Sequence, residues 1–166
     1  FMNRPKKDPY ALTEEELIEI NTSVENISLE YRKHIVKTAM TLVGKTKYEW
    51  GGKSRPGGIP EGLDCSGFID WVYQTAIGFD ELAGGGTAYQ FKIGIGIDDY
   101  FLKEGDLGFW KLPNEVTNTP NNANHVGIYL GQLKNGDKVF IHSQGSQGGV
   151  VISKFPFKYL RNVLGD

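Results

Sequence analysis

Three apolar runs late in the chain are joined by links too short for anything but antiparallel pairing. His125-Val126-Gly127-Ile128-Tyr129-Leu130 is followed by a turn over 131–137, with Asn135-Gly136-Asp137 at its tip, and then by Lys138-Val139-Phe140-Ile141-His142. A glycine-rich turn over 143–149 leads to Val150-Val151-Ile152-Ser153. A parallel crossover needs a dozen residues or more, so these runs are neighbours in one antiparallel sheet. Asp106-Leu107-Gly108-Phe109-Trp110, entered through Lys103-Glu104-Gly105, carries the same strand signal.

Helical patterns come earlier. Thr13-Glu14-Glu15-Glu16 is a capping box, with Thr13 as N-cap and Glu16 reaching back. It opens a short helix expected to reach about Ile20 and to end at Asn21-Thr22-Ser23. A longer helix is predicted from Val24 or Ser28 to Leu42 or Val43. Its apolar stripe is Tyr31, Ile35, Ala39 and Leu42, with Arg32, Lys33 and Lys37 directed elsewhere and Gly44 past the end. A third opens near Cys65, with Phe68, Ile69, Val72, Ala76 and Ile77 on one face, Asp70 and Gln74 on another, and Gly78 closing it. Helices first and an antiparallel sheet after define an α+β domain. Residues 44–63, with six glycines and two prolines, read as a long loop of functional length. Residues 79–100 give a weaker pattern, with a helical turn over Thr87–Phe91. Residues 111–122 form a polar excursion, and the end around Pro156–Leu160 reads as a short helical or irregular closure.

At 166 residues the chain is long enough to bury a core without staples. A net charge of −2, with scattered Lys and Arg, gives no electrostatic reason for a nucleic-acid partner. The run Arg4-Pro5-Lys6-Lys7 reads as a solvated terminus. No stretch has the length of a membrane span. The start lacks the apolar region of a signal peptide. A sequence opening on Phe1 is expected to be a segment of a longer precursor, so that lack decides nothing about export.

Cys65 is the single cysteine, which excludes an internal disulfide and thiolate-rich metal sites. An arbitrary lone cysteine is most often a small buried hydrophobe. Three features set this one apart: a helix start, where free N–H groups and the helix dipole favour a thiolate; a glycine-rich lead-in; and the polar neighbours Asp64 and Ser66. A thiolate nucleophile needs a base and a group to orient it. His34 reads as a surface residue. His125 begins one strand and His142 ends the next, so both fall at one edge of the sheet. One can act as base and the other as orienter. The alternative, a zinc pair, lacks an evident third ligand, and no cofactor is called for. Backbone N–H groups at Cys65 and Ser66 are candidate oxyanion donors, with the Tyr48 hydroxyl as an aid. Asp64 reads equally as a helix cap and as a carboxylate placed for a substrate amino group.

Five motifs in order resemble the NlpC/P60 family of papain-like cysteine peptidases: Tyr48-Glu49-Trp50-Gly51-Gly52, Asp64-Cys65-Ser66-Gly67-Phe68, Gly105-Asp106-Leu107, His125-Val126-Gly127-Ile128-Tyr129 and Phe140-Ile141-His142. The resemblance spans about residues 30–160. It implies a papain-like fold with N-terminal helices on a central antiparallel sheet and the nucleophile at a helix N-terminus. It also implies a Cys65–His125–His142 triad cleaving the γ-D-glutamyl–diamino acid bond of peptidoglycan stem peptides. Tyr48, Trp50, Asp64 and Ser66 become substrate contacts, Asp64 through a free L-alanine amino terminus. An extracellular or wall-associated location follows, with the signal sequence beyond this segment and fusion to another wall-hydrolase or wall-binding domain. Residues 1–28 are then a linker or extension and 29–166 the catalytic domain. An amidase or transacylase on the same fold, or a silent wall-binding domain, is the alternative. The loop between Gly52 and Asp64 is longer than is usual in the family.

Overall fold

The computed structural model describes residues 7–111 and 124–166; the expectations for Arg4–Lys6 and for the excursion 112–122 lie outside them. Among the described residues, four α-helices pack on an eight-stranded sheet. The helices are α1 (Glu14–Glu25), α2 (Glu30–Met40), α3 (Cys65–Ile77) and α4 (Gly86–Ile93). The strands are β1 (Lys47–Tyr48), β2 (Gly62–Leu63), β3 (Ile95–Gly96), β4 (Leu107–Trp110), β5 (His125–Gln132), β6 (Lys138–Gln144), β7 (Gly149–Ser153) and β8 (Tyr159–Asn162). Their order across the sheet is β2-β1-β7-β6-β5-β4-β8-β3. The pairs β5–β6 and β6–β7 are antiparallel, as their short turns require; β4 also pairs antiparallel with β5, and β1–β2 is a parallel pair.

The capping box at Thr13 forms with both of its hydrogen bonds. The helix it opens does not stop at Asn21–Ser23. Asn21 Nδ2 donates to the Leu17 carbonyl and Thr22 Oγ1 to that of Ile18, so both polar side chains are satisfied within the helix. Ile20 and Val24 are buried in the main core, which rewards continuation to Glu25.

The stripe on α2 is also corrected. Tyr31 is partly exposed, while Arg32 is buried with Ile35, Val36 and Ala39. Arg32 Nη1 donates to Asp106 Oδ1 and to the Glu104 carbonyl, both at 2.9 Å. Its Nη2 and Nε donate to the two oxygens of Asp166, at 2.6 and 2.9 Å. A guanidinium with that many acceptors is tolerated inside where an unpaired one is not. The closure expected near Pro156–Leu160 is instead the strand β8, which fills the place between β4 and β3.

The main core lies between the helices and the face of the sheet carrying Val126, Ile128, Leu130, Val139 and Ile141. A smaller cluster around Tyr129, Phe140 and Leu160 includes Phe157. Among the described residues no helix is long and apolar enough to cross a membrane.

Candidate active site

Helix α3 begins at Cys65 because Asp64 caps it: Asp64 Oδ1 accepts from the Gly67 N–H at 2.6 Å. The loop before it is pressed against the first turn. Asp64 N–H donates to the Gly52 carbonyl at 3.2 Å, and a Cβ on Gly67 would lie 2.2 Å from that oxygen. Gly67 is therefore obligatory for close approach of the two backbones. Both Asp64 oxygens are also held by Lys53 Nζ, at 3.0 and 2.9 Å. Ser66 is buried; its hydroxyl bonds Asp64 Oδ1 at 3.2 Å, and its carbonyl accepts from Gln90 Nε2 of α4 at 2.9 Å.

The two histidines meet as the hairpin arithmetic requires. Ile128 pairs with Ile141, so carrying the register one step on sets Gly127 opposite His142, and His125 shares that face two residues away. His125 Nε2 lies 2.7 Å from His142 Nδ1, and His142 Nε2 lies 2.7 Å from Ser153 Oγ. Phe157 stacks on His125 at 5.5 Å between centroids, and Phe155 meets both imidazoles at 5.4 Å. Gly127 leaves room for this. A Cβ there would sit 2.8 Å from the Phe157 ring and 3.1 Å from His142 Cβ. Gly127→Ala is expected to lower stability by about 1–3 kcal/mol through overpacking, read as a fall of several degrees in thermal unfolding.

Cys65 and His125 line one cleft of about 320 Å³, together with Tyr48, Trp110, Gln144 and Phe155. Cys65 is 9% exposed, and its side-chain hydrogen bond is to Thr87 Oγ1 of α4 at 3.6 Å, not to His125. Burial pushes the Cys65 thiol up; the Thr87 hydroxyl and the N–H groups of Val126 and Ser66 oppose this by favouring the thiolate. Burial pushes His125 down to about 4 and His142 well below its ordinary value. Burial of both groups therefore favours the thiol and the neutral imidazole as the dominant forms. Burial likewise raises Tyr48, helped by its proximity to Cys65 and Asp64. Trp50 is 89% exposed on the turn beyond β1 and is not among the residues lining the cleft.

The site thus gathers Cys65, Tyr48 and His125, adds His142 behind His125, and keeps Asp64 and Ser66 beside the thiol. Thr87, Ser153, Phe155 and Phe157 complete it and were not picked out from sequence. Ser153 ends a recognised strand, and the period of two, set against His142, was the available signal for it.

A helix that starts on the cysteine, packed on an antiparallel sheet whose strands carry the histidines, is the papain-like α+β arrangement. The chain belongs to the NlpC/P60 family, whose pattern matches residues 44–164. It is 32% identical over 114 residues to the peptidoglycan DL-endopeptidase CwlO of Bacillus licheniformis, covering 68% of this chain and 22% of that protein. It is 30% identical over 140 residues to the gamma-DL-glutamyl hydrolase of Bacillus subtilis, covering 84% of this chain and 28% of the relative. Among solved structures, the NlpC/p60 domain of the peptidoglycan hydrolase SagA superposes with a TM-score of 0.60 at 32% identity, over 79% of this chain and 97% of that one.

Proposed function

We propose that this chain is the catalytic part of a cell-wall hydrolase, a cysteine endopeptidase that cuts the γ-D-glutamyl–diamino acid bond of peptidoglycan stem peptides. The observation that carries the reading is the shared cleft: Cys65 at the α3 start and His125 on its wall, with His142 and Ser153 in line behind. The names of its relatives support the substrate class. The catalytic unit is residues 29–166, with the preceding residues an extension whose helix α1 packs on the core. The location is extracellular or at the wall.

In this mechanism substrate entry brings His125 Nδ1 to the thiol, since catalytic hydrogen bonds often tighten only with substrate bound. His125 takes the Cys65 proton and the sulfur attacks the γ-glutamyl carbonyl. The N–H groups of the first turn of α3, aided by Tyr48, receive the oxyanion. His125 then gives its proton to the leaving amine. Water, activated by the same imidazole, releases the acyl group from sulfur. For His125 Nδ1 to accept, Nε2 must carry the proton and donate to His142 Nδ1. His142 Nε2–H then donates to Ser153 Oγ, which also accepts from the Phe155 N–H at 3.2 Å.

Because burial holds His125 neutral down to about pH 4, kcat/KM is expected to hold as pH falls through ~6.5, the ordinary histidine value. Its acid limb belongs nearer 4. A pH–rate profile with its acid limb at the ordinary histidine value contradicts that environment. The function itself is tested by peptide release from purified wall, before and after alkylation of Cys65. Release is expected from the free thiol alone; equal release from the alkylated protein rejects the reading.

A further inference from the structure

Lys53 lies in the glycine- and proline-rich loop between β1 and α3, yet its ammonium group is seated on the two residues that flank the thiol. Nζ contacts Asp64 Oδ1 and Oδ2 at 3.0 and 2.9 Å and Ser66 Oγ at 3.3 Å. The neighbouring backbone is fixed, because the Gly52 carbonyl is wedged against Gly67 and accepts from Asp64 N–H. Asp64 is only 15% exposed and has its Oδ1 further committed to capping α3 and to Ser66. A carboxylate beside the nucleophile, open to solvent, would attract a substrate ammonium. This one already has an ammonium from its own chain.

Resting on the proposed function, we infer that Lys53 selects against stem peptides with a free amino terminus. The substrates favoured are those whose amino terminus is acylated, as in a stem still attached to the wall. A free amine meets the Lys53 charge and must displace it to reach Asp64; an acylated one carries no charge and leaves the pair intact. Beyond Lys53 there is also space for the acyl substituent. A groove of about 680 Å³ runs between Lys53, Ser54 and Arg55 on one side and Asp70, Gln74 and the 80–86 turn on the other.

The test uses two versions of one peptide, L-Ala-γ-D-Glu-diamino acid with a free or an acetylated amino terminus. They are compared by kcat/KM for the wild type, Lys53→Met and Lys53→Arg. The wild type is expected to cleave the acetylated peptide at least as well as the free one. Lys53→Met should shift the ratio about fivefold toward the free amine, the scale of a partly exposed ion pair. Lys53→Arg should keep the wild-type ratio. A wild type that prefers the free amine, or a ratio that Lys53→Met does not move while both peptides are cut, overturns the inference alone. Failure of the wild type to cut either peptide overturns the proposed function and this inference with it.

Discussion

Cys65→Ser is expected to lower peptide release from wall by about six orders of magnitude, the scale on which a peptidase loses its nucleophile, leaving the residual rate that binding and the oxyanion donors supply. The change is nearly isosteric, so the expected cause is chemical. Cap, helix and cleft stay as they are, because Asp64 holds the Gly67 N–H independently of residue 65. A serine hydroxyl at this position ionises far less readily than a thiol, and a neutral imidazole pushed down by burial is a weak base to offset that. Wild-type-like thermal unfolding with turnover lost is the expected pairing of results. Retained turnover removes Cys65 from the reaction.

The second large effect falls on stability, away from the cleft. Arg32→Ala is expected to cost about 3–5 kcal/mol, because it leaves the buried Asp106 carboxylate without its partner. That corresponds to a drop of roughly 10 °C in thermal unfolding for a chain of this size. The two carboxylates on Arg32 respond differently. Burial pushes Asp106 up, while the guanidinium beside the more exposed Asp166 holds it far below the ordinary carboxylate range. Since the folded value of Asp166 is depressed, its contribution is present above the ordinary carboxylate pKa and is lost as pH falls through the lower folded value. In Arg32→Ala the stranded Asp106 is relieved by protonation, so the gap to wild type should narrow on acidification. Unfolding curves at neutral and mildly acidic pH measure this. A gap that does not change with pH assigns the loss to packing rather than charge.

These expectations show where local pattern suffices and where it does not. The hairpin over 125–142 is legible because the turn is short: once Gly131–Asp137 reverses the chain, His125 and His142 have one available meeting place. The capping box and the Cys65 helix start are likewise written in neighbouring residues. Arg32 is different. A helical stripe sorts residues by polarity, and nothing near position 32 announces acceptors at Asp106 and Asp166. The same holds for β8, a short run whose partners β4 and β3 lie far back in the sequence. Thr87 and Lys53 reach the thiol and its neighbours from glycine-rich segments, where periodicity has no purchase. The loop around Lys53 is legible from its glycines and prolines, but its contact with Asp64 is a product of the packed Gly52–Gly67 turn.

Under the proposed function, Cys65 cleaves the amide between the γ-carboxyl of D-glutamate and a diamino acid. Mass spectrometry of a defined, amino-acylated stem peptide incubated with wild type and with Cys65→Ser tests it most directly. The expected result is one cut, with the acylated dipeptide ending in D-glutamate and the diamino acid released as its partner, and an intact peptide with the variant. A cut at another bond, or the same products from Cys65→Ser, contradicts it.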